Sequence, residues 1–136
     1  MKDLLAVALL PALALALMAG AAPGPAGAAE PQLSHVVIFT LKDHSKSSRE
    51  AFLASCQKYL TGHEGVASFA VGTIAEDVVE PPSDREFDVT LHLVFASKAA
   101  SDAYQKGPRH RQFVAENKAS FAKVRVFDSY LAPASR

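Results

Sequence analysis

The sequence predicts an α+β domain built on one antiparallel sheet, and three observations carry that expectation. After about residue 30, strand-like and helix-like stretches follow one another in the order β-α-β-β-α-β. Within residues 88–95, Val89, Leu91, Leu93 and Phe95 share one side and Thr90, His92 and Val94 the other, the clearest period-two pattern in the chain. What remains beyond the N-terminal apolar run is roughly a hundred residues, enough for one domain and hardly for two.

The first strand is expected over residues 34–41, which are β-branched and aromatic with no strong helix former. Ser47-Ser48-Arg49-Glu50 has the Ser-x-x-Glu spacing of a capping box, so a helix starts there. Phe52, Leu53, Cys56 and Leu60 fall on one face of it, and Gly62 offers a stop. Cys56, the single cysteine, reads as a small core residue and leaves the domain without an internal disulfide. Residues 68–73 form a second strand, and a polar, proline-containing loop over 76–86 leads to the third. Ser97 then caps a helix whose inward residues are Ala100, Ala103 and Tyr104. Gly107 ends that helix in a left-handed position and Pro108 opens another turn. His110, Phe113, Val114, Asn117 and Phe121 continue at helical spacing, and residues 123–131 close the domain as a fourth strand. This is the ferredoxin-like plan, with the helices on one face of the sheet.

If His35, Val37 and Phe39 face the helices, then Val36, Ile38, Thr40, Thr90, His92, Val94, Arg125 and Phe127 face away. That second face is too apolar to be left in water, and a two-fold partner presenting the same sheet covers it most simply. A homodimer is therefore expected.

Residues 1–29 form a separate unit. A long apolar run follows Met1-Lys2-Asp3, and small residues follow it as far as Ala28-Ala29, the pattern of a secretory signal peptide cleaved after Ala28 or Ala29. An uncleaved anchor is the rival, since the run from Leu4 to Ala22 is long enough to cross a bilayer, although Pro11 interrupts it. The domain is then residues 30–136, exported to the periplasm or medium, with no membrane contact after cleavage. Its charges balance, 14 basic against 14 acidic in the whole chain, and no basic stripe is present, which argues against a nucleic-acid partner.

Several segments in order resemble the stress-responsive A/B barrel domain family. They are His35-Val36-Val37-Ile38-Phe39, Val94-Phe95-Ala96-Ser97, Tyr104 followed by Gly107-Pro108-Arg109-His110-Arg111-Gln112-Phe113-Val114, and Val126-Phe127-Asp128. The resemblance covers residues 33–131 and departs in one place: the family usually has His-Pro-x-His at the helix break, where this chain has Gly107. It implies a dimeric α/β barrel. It also implies, from a plant branch of polyketide cyclases, a pocket in which residues matching Tyr104 and His110 transfer protons and one matching His35 lines the wall.

Tyr104 and His110 are accordingly the candidate catalytic pair, and His35, Val37, Phe39, Phe52, Leu91, Phe113 and Val124 the candidate ligand-binding residues. A neutral imidazole can take a proton from an activated carbon while a phenol stabilises the enolate. The same two residues can equally serve packing and capping at a helix break. The leading expectation is an exported homodimer that binds a small apolar or aromatic molecule. The alternatives are a cyclase or isomerase-like enzyme using His110 and Tyr104, and, on fold analogy, a monooxygenase-like or haem-handling protein. No cofactor is expected, and no metal site, because the five histidines have no acidic or thiol partner at ligand spacing. His44 and His63 are expected to be solvated in loops. Arg109 and Arg111, beside His110, are candidates to draw an anionic ligand to the pocket mouth.

Overall fold

The computed structural model describes residues 30–133, so the signal-peptide reading of 1–29 lies outside the described residues. Strand β1 spans Leu33–Leu41, helix α1 Lys46–Leu60, β2 Val66–Thr73, β3 Val89–Phe95, α2 Lys98–Lys106, α3 Pro108–Asn117 and β4 Phe121–Tyr130, with a 3-10 turn over Lys118–Ser120. The four strands form one antiparallel sheet in the order β2-β3-β1-β4, the ferredoxin-like arrangement. Among the described residues no helix is long and apolar enough to cross a membrane.

The register of the sheet sorts residues between its faces. His35, Val37 and Phe39 lie opposite Leu93, Leu91 and Val89 on one side and opposite Asp128, Val126 and Val124 on the other. Directly opposed residues in an antiparallel pair share a face, so all nine point toward the helices. Val89, Leu91, Leu93 and Phe95 are fully buried there, with Leu41, Cys56 and Leu60. Phe52 centres an aromatic cluster, its ring 4.8 Å from Phe39, 5.7 Å from Phe113 and 5.6 Å from Phe121. Burial of this kind, at about 25 cal/mol per Å² of apolar surface, holds the domain together without a disulfide.

Several expectations need correction. The N-cap of α1 is Ser45, whose hydroxyl accepts the Ser48 N–H, and not Ser47. Asp43 accepts the Ser45 N–H and turns the chain two residues early, which draws Ser47 into the first helical turn. Ser97 does cap α2, by accepting the Ala100 N–H, but Ala103 is exposed and Ser101 is buried in its place. Gly107 is extended rather than left-handed, at φ −63°, so backbone freedom is not why a glycine suits this position. A β-carbon there would lie 3.1 Å from the Tyr104 carbonyl oxygen, and crowding is the constraint. Phe121 does not extend the helical series: the 3-10 turn breaks the spacing, and Phe121 opens β4.

Asp88, just before β3, ties α1 to the sheet. Its carboxylate is 1% exposed and accepts hydrogen bonds from Leu41 N (2.7 Å), Arg49 Nε (3.0 Å) and His44 Nδ1 (2.9 Å). Burial alone would raise its pKa, but these donors together hold it below the usual carboxylate range. His44, expected to be merely solvated, is thus one of the donors that stabilise a buried charge.

Candidate ligand-binding site

The site forms where β1 and β4 run beneath the junction of α2 and α3. The Gly107-Pro108 break places Tyr104 in the last turn of α2 and His110 in the first turn of α3, and both side chains turn toward the start of β1, where His35 faces the helices. The Tyr104 ring is packed between aromatic neighbours, its centroid 4.8 Å from His110, 4.8 Å from His63, 5.2 Å from Phe95 and 6.5 Å from His35. His63 therefore packs edge-on against the Tyr104 ring and is half-buried rather than fully solvated, and its Nε2 lies 2.9 Å from the Tyr59 carbonyl.

A cavity of about 360 Å³ opens beside these groups. Val37, Phe39, Leu91, Phe113 and Val124 line it, together with His35, Tyr104 and His110. Phe52 does not: it is 3% exposed inside the aromatic cluster, with Phe39, Phe113 and Phe121 between it and the cavity. Val114 and Phe121 line the space and do not fill it. It is open because the helices cover β1 and β3 while the same face of edge strand β4 stays uncovered, leaving Val124 42% and Val126 49% exposed.

The polar groups have definite roles. His35 Nδ1 lies 2.6 Å from Asp128 Oδ1, directly across the β1–β4 ladder, and its Nε2 lies 3.4 Å from the Gln105 amide nitrogen. The His110 Nδ1–H donates to the Gln105 carbonyl (3.2 Å), one of the carbonyls freed where α2 ends. Burial, followed by the nearby His35 and His63, pushes the His110 pKa below its ordinary value. Burial likewise raises the Tyr104 phenol, which stays protonated at neutral pH. Among the described residues the Tyr104 hydroxyl has no hydrogen-bond partner, which leaves it available to something in the cavity.

Arg109 and Arg111 do not reach the mouth as an anion trap. Arg109 donates to the carbonyls of Lys58 and Thr61 at the end of α1, and Arg111 to that of Lys106 at the end of α2. Both guanidinium groups cap helix C-termini, where positive charge is favourable. Among the described residues no three His, Cys, Asp or Glu side chains cluster in a way that could hold a metal ion.

The model of the stress responsive A/B barrel domain matches residues 33–131, from the first residue of β1 to just past the end of β4. The chain belongs to that family. Among solved structures, a family protein with a ferredoxin-like fold from Mesorhizobium loti is 27% identical, with a TM-score of 0.63 over 76% of this chain and 100% of that one. A dimeric ferredoxin-like protein of unknown function from Thermobifida fusca is 16% identical, with a TM-score of 0.62 over 75% and 92%. A hydroxynitrile lyase from Passiflora edulis is 17% identical, with a TM-score of 0.62 over 78% and 98%. No curated protein matches the sequence.

Asp128, Gln105, Leu60, Val114, Phe121 and Val126 were not among the sequence candidates, although all six line the cavity. The signal for Asp128 was available. Pairing the first and last strands antiparallel brings the start of one against the end of the other, and His35 then meets Asp128.

Proposed function

We propose that this family member is an exported homodimer in which each copy binds one small, mainly apolar or aromatic molecule carrying a polar group. The observation that carries this reading is the cavity of about 360 Å³, apolar over most of its wall, with the unpartnered Tyr104 hydroxyl, His35 and His110 converging on one end. Apolar walls with a few placed polar groups are what a small-molecule site requires. Export rests on the leader-like N-terminal pattern.

Dimerisation is supported by the other face of the sheet. Val36, Ile38 and Val94 are only half-buried there, and Phe127 is 53% exposed. Arg125 on the same face donates from Nη1 to Asp84 (2.9 Å), yet its Nε and Nη2 are shielded from solvent and lack a partner among the described residues. Donors held this way call for an acceptor from outside the subunit. The Thermobifida fusca relative of the fold is dimeric.

Proton-transfer catalysis, of a cyclase, isomerase or lyase kind, is the second reading. It is favoured by the juxtaposition of two imidazoles and a protonated phenol, and a structural neighbour of the same fold, from Passiflora edulis, is a hydroxynitrile lyase. The binding proposal is tested by titrating small aromatic ketones into the protein and following amide chemical shifts. Shifts confined to the cavity lining, abolished in a folded Val124→Trp variant that fills the mouth, are the expected result. Shifts that persist in Val124→Trp would place the ligand elsewhere.

A further inference from the structure

We infer that the ligand is an aromatic amine, whose ring lies in the apolar cavity and whose ammonium group, on a short alkyl chain, lies in a second, polar space beside it, held by Asp128, Asp102 and Ser101. This inference rests on the reading of the cavity as a ligand site and names the chemical class of its ligand.

The second space, of about 470 Å³, opens between one stripe of α2 and the end of β4. Lys98, Ser101, Asp102 and Gln105 stand at i, i+3, i+4 and i+7, so the helix turns all four toward the same side. Opposite them, Asp128 and Tyr130 continue the helix-facing row of β4 that begins with Val124 and Val126. Gln105 and Asp128 line both spaces, so the two adjoin. The wall changes character along the strand, from valines in the first space to an aspartate and a tyrosine in the second.

The polar space is short of donors. Asp128 Oδ1 lies 2.6 Å from His35 Nδ1, and Asp128 Oδ2 has no partner among the described residues. Asp102 Oδ2 accepts from Lys98 Nζ at 2.7 Å, and Asp102 Oδ1 has no partner among them. That hydrogen bond holds the Asp102 pKa below its ordinary value, so the group is ionised at neutral pH. Ser101 is 8% exposed and lies on the wall, yet its hydroxyl also lacks a partner among the described residues. A buried hydroxyl left free in this way calls for a group from the ligand. Of the ionic side chains on this wall two are carboxylates and one is an ammonium, and the ammonium is already bonded to Asp102.

Free oxygens and an excess of carboxylates suit a positively charged group with several N–H donors, and an ammonium offers three. An anionic end would meet Asp128 and Asp102 with only the already matched Lys98 in its favour. A neutral hydroxyl has one hydrogen to donate where several oxygens face it. The ring belongs in the first space, where Val37, Phe39 and Val124 give it an apolar wall. A chain leaving that space past Gln105 brings the ammonium to Asp128 at the boundary.

Phenylbutylamine, phenylbutanol and phenylbutanoate are the probes, because they share a ring and chain and differ in the charge and donors at the end; butylamine lacks the ring. Titrated into the 15N-labelled protein, phenylbutylamine is expected to shift the amides of the apolar lining and those of Ser101, Asp102 and Ser129 together. It should bind about 10-fold more tightly than the alcohol, with the carboxylate weakest. Asp128→Asn, at a position 55% exposed, should lower the amine-to-alcohol affinity ratio about 10-fold. Asp102→Asn should lower that ratio and Lys98→Gln raise it, whereas a merely structural effect would move both ligands alike. An alcohol or carboxylate that binds as tightly as the amine, or a ratio unchanged by Asp128→Asn, overturns the assignment while binding in the cavity stands. Butylamine that binds as tightly as phenylbutylamine, or amine shifts confined to the polar space, overturns the placement of the ring. If none of the four probes shifts the apolar lining, the ligand-site reading fails and takes the inference with it.

Discussion

Tyr104 and His110 lie 4.8 Å apart between ring centroids, yet they meet different demands. The tyrosine hydroxyl has no protein partner among the described residues, while His110 caps α2 through the Gln105 carbonyl. The histidine therefore contributes to stability in a pH-dependent way. Its pKa is below the ordinary value of about 6.5 in the folded state and near it in the unfolded chain, so on acidification the unfolded state takes up the proton first. Stability is lost as the pH falls through about 6.5 and down to the folded-state value. Thermal unfolding between pH 7.5 and 5.5 should show a smaller fall in Tm for His110→Gln than for wild type, and equal falls would contradict the burial argument. At this scale the sequence was informative about which residue types meet, and it pointed to Asp128 only through the antiparallel pairing of the first and last strands, since its contact with His35 joins residues 93 positions apart.

The elements were legible wherever a local pattern decided them. The alternation of β3 and the Ser97 cap needed no tertiary information, because side-chain period and a free amide in the first turn are local facts. The Ser45 cap was hidden behind a better-looking Ser-x-x-Glu motif two residues on, since the deciding contact was Asp43 bending the chain. The aromatic series Phe113 to Phe121 looked helical because its spacing suits a helix, and a three-residue 3-10 turn was enough to reassign its last member. The connection from α1 to β2 carries a sharper constraint. Gly62 and Gly65 both have positive φ, +64° and +76°, but a β-carbon on Gly62 meets nothing while one on Gly65 lies 2.5 Å from Ala100 Cβ. Gly62→Ala should cost about 1 kcal/mol from backbone strain alone. Gly65→Ala should cost about 2–4 kcal/mol, strain and overpacking together, as measured by chemical denaturation. Adding Ala100→Gly to Gly65→Ala should recover only the overpacking part, and equal costs for the two single variants would contradict the contact.

For the whole molecule, two faces of one sheet carry two tasks. The helix-facing side builds the core and, along uncovered β4, the cavity; the opposite side holds half-buried apolar residues around the incompletely bonded Arg125. The alternation of strands made both faces readable in advance. The cavity was not, because it comes from what the helices fail to cover, which no single stretch of chain encodes. Phe127→Asp should convert a dimer into a folded monomer in sedimentation analysis, with far-UV circular dichroism unchanged. A wild-type monomer at tens of micromolar would contradict the proposed interface.

The central proposal is that the space between β1, β4 and the α2–α3 junction is a small-molecule site. The most direct measurement is a titration of small aromatic ketones into 15N-labelled wild type and Val124→Trp, following the amide chemical shifts. The account predicts shifts confined to the cavity lining in wild type and their loss in a folded Val124→Trp variant. Shifts that persist in Val124→Trp, or none at the cavity lining in wild type, would contradict it.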